Sequence, residues 1–321
     1  LNARLFLSFV ASHVLWAHGE PTITQTQWRG FDAFTLGDGR SEAVVVPALG
    51  GRVMSYGMKG GVNFIWNGAP GNERAENAQF WGGDKTFIGP HTLWGFYRTP
   101  WPPPLPDRTA HSVEKLDGAR LRTTSPTWEP HGTKIVREYA WENEALVITH
   151  TLTPAQGSHA LGAVWTVTQI VPTDTVYVPL NPQSPYREGV YWFGWSKQRG
   201  AEAGAKVVSP SLLELHPTTG TIYKFGAHPT RPALVAVKDG VAFLQTADPQ
   251  EGQYPEGADG AGLNVEIYHH DTSGPGEYTE LEHLSPLRRL DAGATLTTRW
   301  SLHEVAKDGR REACEKLLEG K

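Results

Sequence analysis

The sequence is poor in cysteine: Cys314 is the only one in 321 residues. A single thiol excludes an intrachain disulfide framework and a cysteine-based zinc cluster. Dense runs of Lys or Arg are also missing, and the formal net charge is −5. The electrostatic footprint of a nucleic-acid binder is therefore absent, and no nucleic-acid partner is expected. Long apolar runs are scarce as well. Beyond the N-terminal segment nothing approaches the roughly 20 consecutive apolar residues of a membrane span, so none is expected. Between Thr22 and His303 no apolar stripe of helical period is sustained, so helices are not expected there. No serine sits in a nucleophile elbow and no Walker-type or dinucleotide-type loop is present; Gly50-Gly51 and Gly82-Gly83 read as turn glycines.

What is present is ample material for a core and for many turns: 39% hydrophobic residues with 35 Gly and 24 Pro. The span from Thr22 to His303 repeats one phrase, a run of β-branched or aromatic residues with period-two alternation followed by a Gly, Pro, Asn or Asp turn. That is the signature of strands and turns. SEAVVVPALGGRVMSYGMKGGVNFIW reads as three strands broken at Gly50-Gly51 and Gly60-Gly61. KIVREYAWENEALVITHTLTP reads as a hairpin turning at Glu142-Asn143-Glu144. ALGAVWTVTQIVP, PALVAVKDGVAFLQTA, LNVEIYHH, YTELEHLSP and ATLTTRWSLHEV continue the series. After Val305 the pattern changes, and Ala313, Cys314, Leu317 and Leu318 are spaced for one face of a C-terminal helix. With no low-complexity linker and no fixed repeat, one all-β domain of stacked sheets over 22–303, with the helix within 304–321, is the economical organisation. Residues 1–21 hold one Arg, an apolar run from Leu5 to Trp16 and the small-x-small site Ala17-His18-Gly19. That order fits a secretory signal peptide, implying a periplasmic or secreted protein, or an ordinary N-terminal segment of a cytoplasmic one.

Three clusters have chemical potential. In YTELEHL alternate side chains share a face, so Tyr278, Glu280 and Glu282 point one way and Thr279, Leu281 and His283 the other. Two carboxylates about 6.5 Å apart repel, and partial burial raises a pKa toward the range of a general base or acid; a solvated strand face is the alternative. The stretch FWGGDKTFIGPHTLWGFYRTPWPPP, Phe80 to Pro104, has too many Gly and Pro for a clean strand and reads as a long loop with a short strand inside. It either brings Asp84, Lys85 and His91 to a sugar-binding surface of aromatic faces, or covers a sheet edge with Asp84 and Lys85 as a surface ion pair. His269-His270-Asp271, with Glu266 upstream, is not a metal cluster in this reading, because adjacent strand residues diverge.

Several phrases together carry a family resemblance. GGRVMSYGMKGGVNFIWN resembles the opening hairpins of galactose-mutarotase-like proteins. GGDKTFIGPHTLW, WPPP, VWTVTQIVP, YKFG, QYPEG and YTELEHLSPLRRLDAG, in that order, are similar to the domain of unknown function 4380 family, a bacterial branch of that superfamily. The resemblance covers Trp28 to Leu302 and implies an all-β, single-domain β-supersandwich with a concave carbohydrate-binding face. It implies Leu281-Glu282 as the match to the general base of aldose 1-epimerase-like isomerases, with Glu280 on the same face. The histidine that protonates the ring oxygen in such enzymes has no match in Ala163–Gln169, and His91 is the nearest substitute. Asp84, Lys85, Trp94, Trp165, Gln169, Lys224 and Tyr254 match other concave-face groups. No cofactor and no metal is implied. The expected partner is a mono- or oligosaccharide. The alternatives are a non-catalytic carbohydrate-binding protein holding an oligosaccharide through Trp94, Trp101 and Trp165, and a glycoside hydrolase or lyase on this fold.

Overall fold

The computed structural model describes residues 19–68, 82–94, 106–129, 131–196, 198–255, 262–271 and 277–321. The N-terminal apolar run, Trp101 and the side chain of Trp94 lie outside what is described. Two antiparallel sheets stack on one another. The first runs β1 (Thr22–Trp28), β2 (Phe31–Gly37), β3 (Ser41–Val46), β4 (Arg52–Met58), β5 (Asp84–Gly89), β10 (Leu161–Ile170), β19 (Tyr278–Leu284), β18 (Val265–His270), β15 (Ile222–Ala227) and β12 (Tyr191–Trp192), with β20 (Arg288–Arg289) beside β10. The second runs β13 (Ala205–Ser209), β14 (Leu212–Leu215), β11 (Thr175–Pro179), β16 (Ala233–Lys238), β17 (Val241–Ala247), β21 (Ala294–Glu304), β9 (Ala145–Leu152), β8 (Ile135–Glu142), β7 (Arg120–Thr124) and β6 (Ser112–Leu116). Among the described residues no helix is long and apolar enough to cross a membrane.

Local chemistry explains most of these elements. In β21 buried and more exposed residues alternate, as expected of a strand with one face on a core and one toward water. The hairpin of β8 and β9 closes through Asn143 and Glu144, both at positive φ (48° and 65°), the conformation of the tight turn that matches strand twist. The C-terminal helix α1 (Arg310–Glu319) is shorter than the tail assigned to it. It lays Cys314 and Leu318 on Tyr177, Val235 and Leu244 of the second sheet, as the apolar stripe required.

Two expectations are corrected. The third strand of the opening stretch does not form: Asn63 and Ile65 make only isolated bridges. The Asn63 side chain takes over the ladder, with Oδ1 accepting from Tyr56 N (3.0 Å) and Ile65 N (3.1 Å) and Nδ2 donating to Ile65 O (2.8 Å). The short strand expected inside the Phe80–Pro104 stretch is Asp84–Gly89, and it lies not over a sheet edge but near the middle of the first sheet, between β4 and β10. Its alternation is written in polar residues, which hides it from an apolar-period search. Asp84 and Lys85 are therefore not a surface ion pair; they are buried on opposite faces of one strand.

The space between the sheets holds a polar seam within an apolar core. Asp84 faces inward, where Thr168 Oγ1 donates to its Oδ1 (2.7 Å) and Arg137 of the opposite sheet grips its Oδ2. Arg137 Nη1 also donates to the carbonyls of Asp84 and Gly51, each at 2.9 Å. Gly51 has φ +63°, and a Cβ there would meet Thr123 Oγ1 at 2.4 Å. A side chain would push this backbone off the guanidinium.

His283 also points into this seam, fully buried beside His150, which is packed near Arg137. Among the described residues neither of its ring nitrogens has a hydrogen-bond partner. Burial pushes its pKa down to about 3, so it is neutral when folded, whereas the unfolded imidazole protonates below its ordinary 6.5. Its contribution to stability is therefore complete above pH 6.5 and is lost as pH falls toward 3. His283→Leu should be as stable as the parent or more so at pH 7, and should lose less stability between pH 7 and 4 in urea titrations. Parallel losses in the two proteins would rule out His283 as a source of acid sensitivity.

Candidate functional site

The outer face of the first sheet collects the remaining polar groups in registered rows. Strand pairing sets Lys85, Val167, Glu282, Glu266 and Gly226 side by side across β5, β10, β19, β18 and β15. The next row is Gln169, Glu280, Tyr268 and Lys224. On the other flank Phe87 lies beside Trp165 and Leu284. These side chains share one face because each strand contributes every second residue to it. Gly226 matters to the row: a Cβ there would lie 3.1 Å from Glu266 Cγ and 2.6 Å from Leu263 Cδ1.

Glu282 and its neighbour Glu266 are the fully buried carboxylates of the face among the described residues. Glu282 Oε2 accepts from Trp165 Nε1 (2.6 Å) and from Lys224 Nζ (3.0 Å). Its Oε1 is buried without a hydrogen-bond partner among the described residues. Burial raises its pKa to about 7; Lys224 opposes the rise and Glu266 reinforces it. The repulsion expected from Glu280 therefore comes mainly from Glu266, which stands directly opposite on β18. Lys224 Nζ bridges Glu266 (2.6 Å) and Glu282, and although burial disfavours its charge, the two carboxylates raise its pKa overall.

Glu280 lies nearer the surface, with 15% of its side chain exposed. Gln169 Nε2 donates to its Oε1 at 2.8 Å, and Lys85 Nζ stands 4.0 Å from the same oxygen, beyond hydrogen-bond reach. Burial raises the Glu280 carboxyl against the attraction of Lys85. It lowers the Lys85 ammonium from an ordinary 10.5, with Glu280 opposing. Gln169 Oε1, like Glu282 Oε1, is a buried acceptor with no partner among the described residues. Both acceptors lie on one face, where a hydroxyl brought to them could donate a hydrogen bond.

The structure brings together Lys85, Trp165, Gln169, Lys224, Glu280 and Glu282 from the sequence reading, and removes three others from their assigned roles. Asp84 is on the opposite face, bound to Arg137. Tyr254 donates its hydroxyl to the Gln250 carbonyl (2.8 Å) and packs edge-on against His228, a structural contact. His91 reaches the site, meeting Trp165 edge-on at 4.6 Å, but burial and then the charge of Lys224 push its pKa down to about 3. A neutral imidazole keeps one N–H to donate in a hydrogen bond but is a far weaker acid than imidazolium, so delivery of a proton by His91 is disfavoured at ordinary pH. Trp165 is not an open platform either: Phe87 and His91 meet its ring and Lys224 Nζ lies 4.6 Å over it. The side chain of Trp94 and all of Trp101 lie outside the described residues.

Glu266 and Tyr268 were missed as site residues. Alternation in VEIYHH puts both on the face of His270, while His269 turns inward to Thr279 (3.0 Å). The two histidines diverge as expected. That β18 lies beside β19 could not be read from either segment alone.

The chain is similar in structure to a galactose mutarotase-like protein from Clostridium acetobutylicum, with a TM-score of 0.58 at 10% identity over 89% of this chain and 99% of that one. A galactose mutarotase-like protein from Lactobacillus casei gives 0.57 at 12% identity over 84% and 100%. A galactose 1-epimerase from Lactobacillus acidophilus gives 0.54 at 13% identity over 90% and 100%. At these identities the likeness establishes the galactose-mutarotase-like fold alone. No protein-family model and no curated protein matches the chain.

Proposed function

We propose that this protein is a carbohydrate-active enzyme acting at the anomeric centre of an aldose or sugar derivative by general acid–base catalysis, as an aldose 1-epimerase-like isomerase. The observation that carries the proposal is Glu282: one oxygen is pinned by Trp165 and Lys224, the other is buried and unmet, and the pKa sits near 7. A base so poised accepts a proton from a bound hydroxyl without reorienting. The mutarotase-like fold supports the same reaction class.

In the proposed step Glu282 Oε1 takes the proton of the anomeric hydroxyl while an acid protonates the ring oxygen. The C1–O5 bond breaks, the open-chain aldehyde rotates about C1–C2, and closure on the other face returns both protons. Lys85 replaces His91 as the acid. Two strand spacings separate it from Glu282 along one row, about 10 Å between Cα atoms, with the small apolar Val167 between them as floor. Glu280 and Gln169 flank that gap and offer acceptors to hydroxyls. The enclosed Trp165 ring counts against Trp165 as the stacking platform of a non-catalytic binding protein. Glu280 and Glu282 leave one strand on the same side, which suits hydrolysis less, since hydrolysis needs carboxyls flanking a bond.

The test is anomer interconversion of a broad aldose panel, followed by polarimetry or one-dimensional NMR; no acceleration on any sugar would sink the proposal. A pH profile adds a second check. Because Glu282 must be ionised and Lys85 protonated, kcat/KM should rise through about pH 7 and fall at a pH below an ordinary lysine's 10.5. Lys85→Arg keeps the charge but cannot surrender a proton, so it should lower kcat/KM by about 10²-fold and abolish the alkaline limb. An unchanged alkaline limb in that variant would assign the acid elsewhere.

A further inference from the structure

Outside the row of acids and lysines, the first sheet carries a chain of aromatic rings leading from Glu280 to the surface. Tyr268, half-buried, is paired across strands with Glu280, and Trp195 meets it edge-on at 6.1 Å. Phe193 lies 6.5 Å from Trp195, and Lys224 Nζ is 5.2 Å over the Phe193 ring. Trp195 is 54% exposed, the one aromatic among the exposed large hydrophobics of the described residues, which otherwise comprise Val113 and Leu161. Exposure thus grades from the buried Glu282 through Glu280 and Tyr268 to an open indole.

The turn that presents Trp195 is fixed in place. Ser196 Oγ is buried, accepts from Lys224 N and donates to Lys224 O, both at 2.8 Å. Phe193 N donates to the same Lys224 carbonyl at 3.2 Å, and Ser196 N closes the turn onto Phe193 O at 2.9 Å. Arg199 then donates to three carbonyls of the turn, those of Phe193 (3.3 Å), Gly194 (3.3 Å) and Ser196 (3.4 Å). A Cβ on Gly194 would meet nothing within 4 Å, so the space over the turn is open. The backbone that holds the indole is bonded to that of Lys224, whose ammonium grips Glu282. The platform is in this way registered to the reactive carboxylate.

We infer that Trp195 is the stacking floor of a second sugar subsite, so that the substrate is a neutral oligosaccharide whose reducing-end unit lies at Glu282 and whose next unit lies on Trp195. The inference rests on the proposed anomeric chemistry for the identity of the reducing-end unit. Aromatic faces pack on the C–H faces of sugars, and a preorganised ring loses little entropy on doing so. Among the described residues Lys85, Lys224 and the turn's Arg199 do no more than balance Glu266, Glu280 and Glu282, so the face holds no surplus of positive charge to recruit an anionic glycan, which favours an uncharged one.

The experiment has a turnover arm and a binding arm. In the first, kcat/KM for neutral trisaccharides (maltotriose, cellotriose, xylotriose) is compared with that for the matching monosaccharides, in the parent, Trp195→Ala and Trp195→Phe. The parent should prefer the chain, Trp195→Ala should reduce the trisaccharide-to-monosaccharide ratio about tenfold through KM, and Trp195→Phe should restore most of it. In the second, Glu282→Gln with and without Trp195→Ala is probed on a neutral-glycan array and by calorimetry, which needs no turnover. Chain binding that depends on Trp195 in a protein without mutarotation keeps the subsite and removes the proposed reaction. Mutarotation with no preference for any chain over its monosaccharide, or equal losses on both in Trp195→Ala, overturns the subsite and leaves the reaction standing. Absence of any chain binding better than its monosaccharide on the array also overturns it.

Discussion

Glu282→Gln is expected to lower anomer interconversion by about 10³-fold, nearly all of it in kcat, because positioned proton transfer contributes about 10²–10⁴-fold. The exchange is isosteric, and the surroundings tolerate it. Lys224 retains Glu266 at 2.6 Å, and the Trp165 N–H, now 2.6 Å from a carboxylate oxygen, can donate to the amide oxygen instead. The variant also removes a buried carboxylate that burial and Glu266 disfavour, so its thermal midpoint should match or exceed the parent's. Steady-state polarimetry beside a thermal melt decides the matter. A folded variant retaining more than a tenth of the parental kcat would exclude Glu282 as the base. Loss of activity together with loss of fold would assign it a structural role.

Arg137→Met should be the most damaging single substitution for stability, costing about 3–5 kcal/mol, the scale of breaking one side of a buried ion pair. Both partners are essentially without exposure, and the guanidinium ties Asp84 of the first sheet to Gly51 and to the second sheet's β8. A domain with a total stability of about 5–15 kcal/mol is left close to unfolding by such a loss. The pH dependence identifies the cause. Burial raises the Asp84 carboxyl, and Arg137 is the main group opposing the rise. Without Arg137 the folded-state pKa rises further above the unfolded 3.8, so the penalty is full at neutral pH and shrinks as pH falls toward 4. The double variant Arg137→Met, Asp84→Leu should recover most of the loss, since paired apolar replacements need no counter-charge. A urea-derived loss below about 1 kcal/mol for the single variant would contradict this account.

How much of this was legible in the chain differs from element to element. Period-two alternation located β8, β9, β10, β16, β17, β18, β19 and β21, and it placed Glu280 and Glu282 on one face, because side-chain direction within a strand is a local property. The apolar stripe of Ala313, Cys314, Leu317 and Leu318 located the C-terminal helix for the same local reason. Asp84 and Lys85 were placed together in the site by the loop reading and the family resemblance; only the strand that forms there sets them on opposite faces. Nor could alternation reveal that β18 and β15 lie beside β19, which is what makes Glu266 and Lys224 the partners of Glu282. The protonation of His91 and the confinement of Trp165 likewise depend on burial by segments distant in sequence. The sequence by itself thus determined those strands, their two-sidedness and the carboxylate pair. Strand order, register and burial, which are long-range pairings, decided which residues meet at Glu282 and what charge they carry.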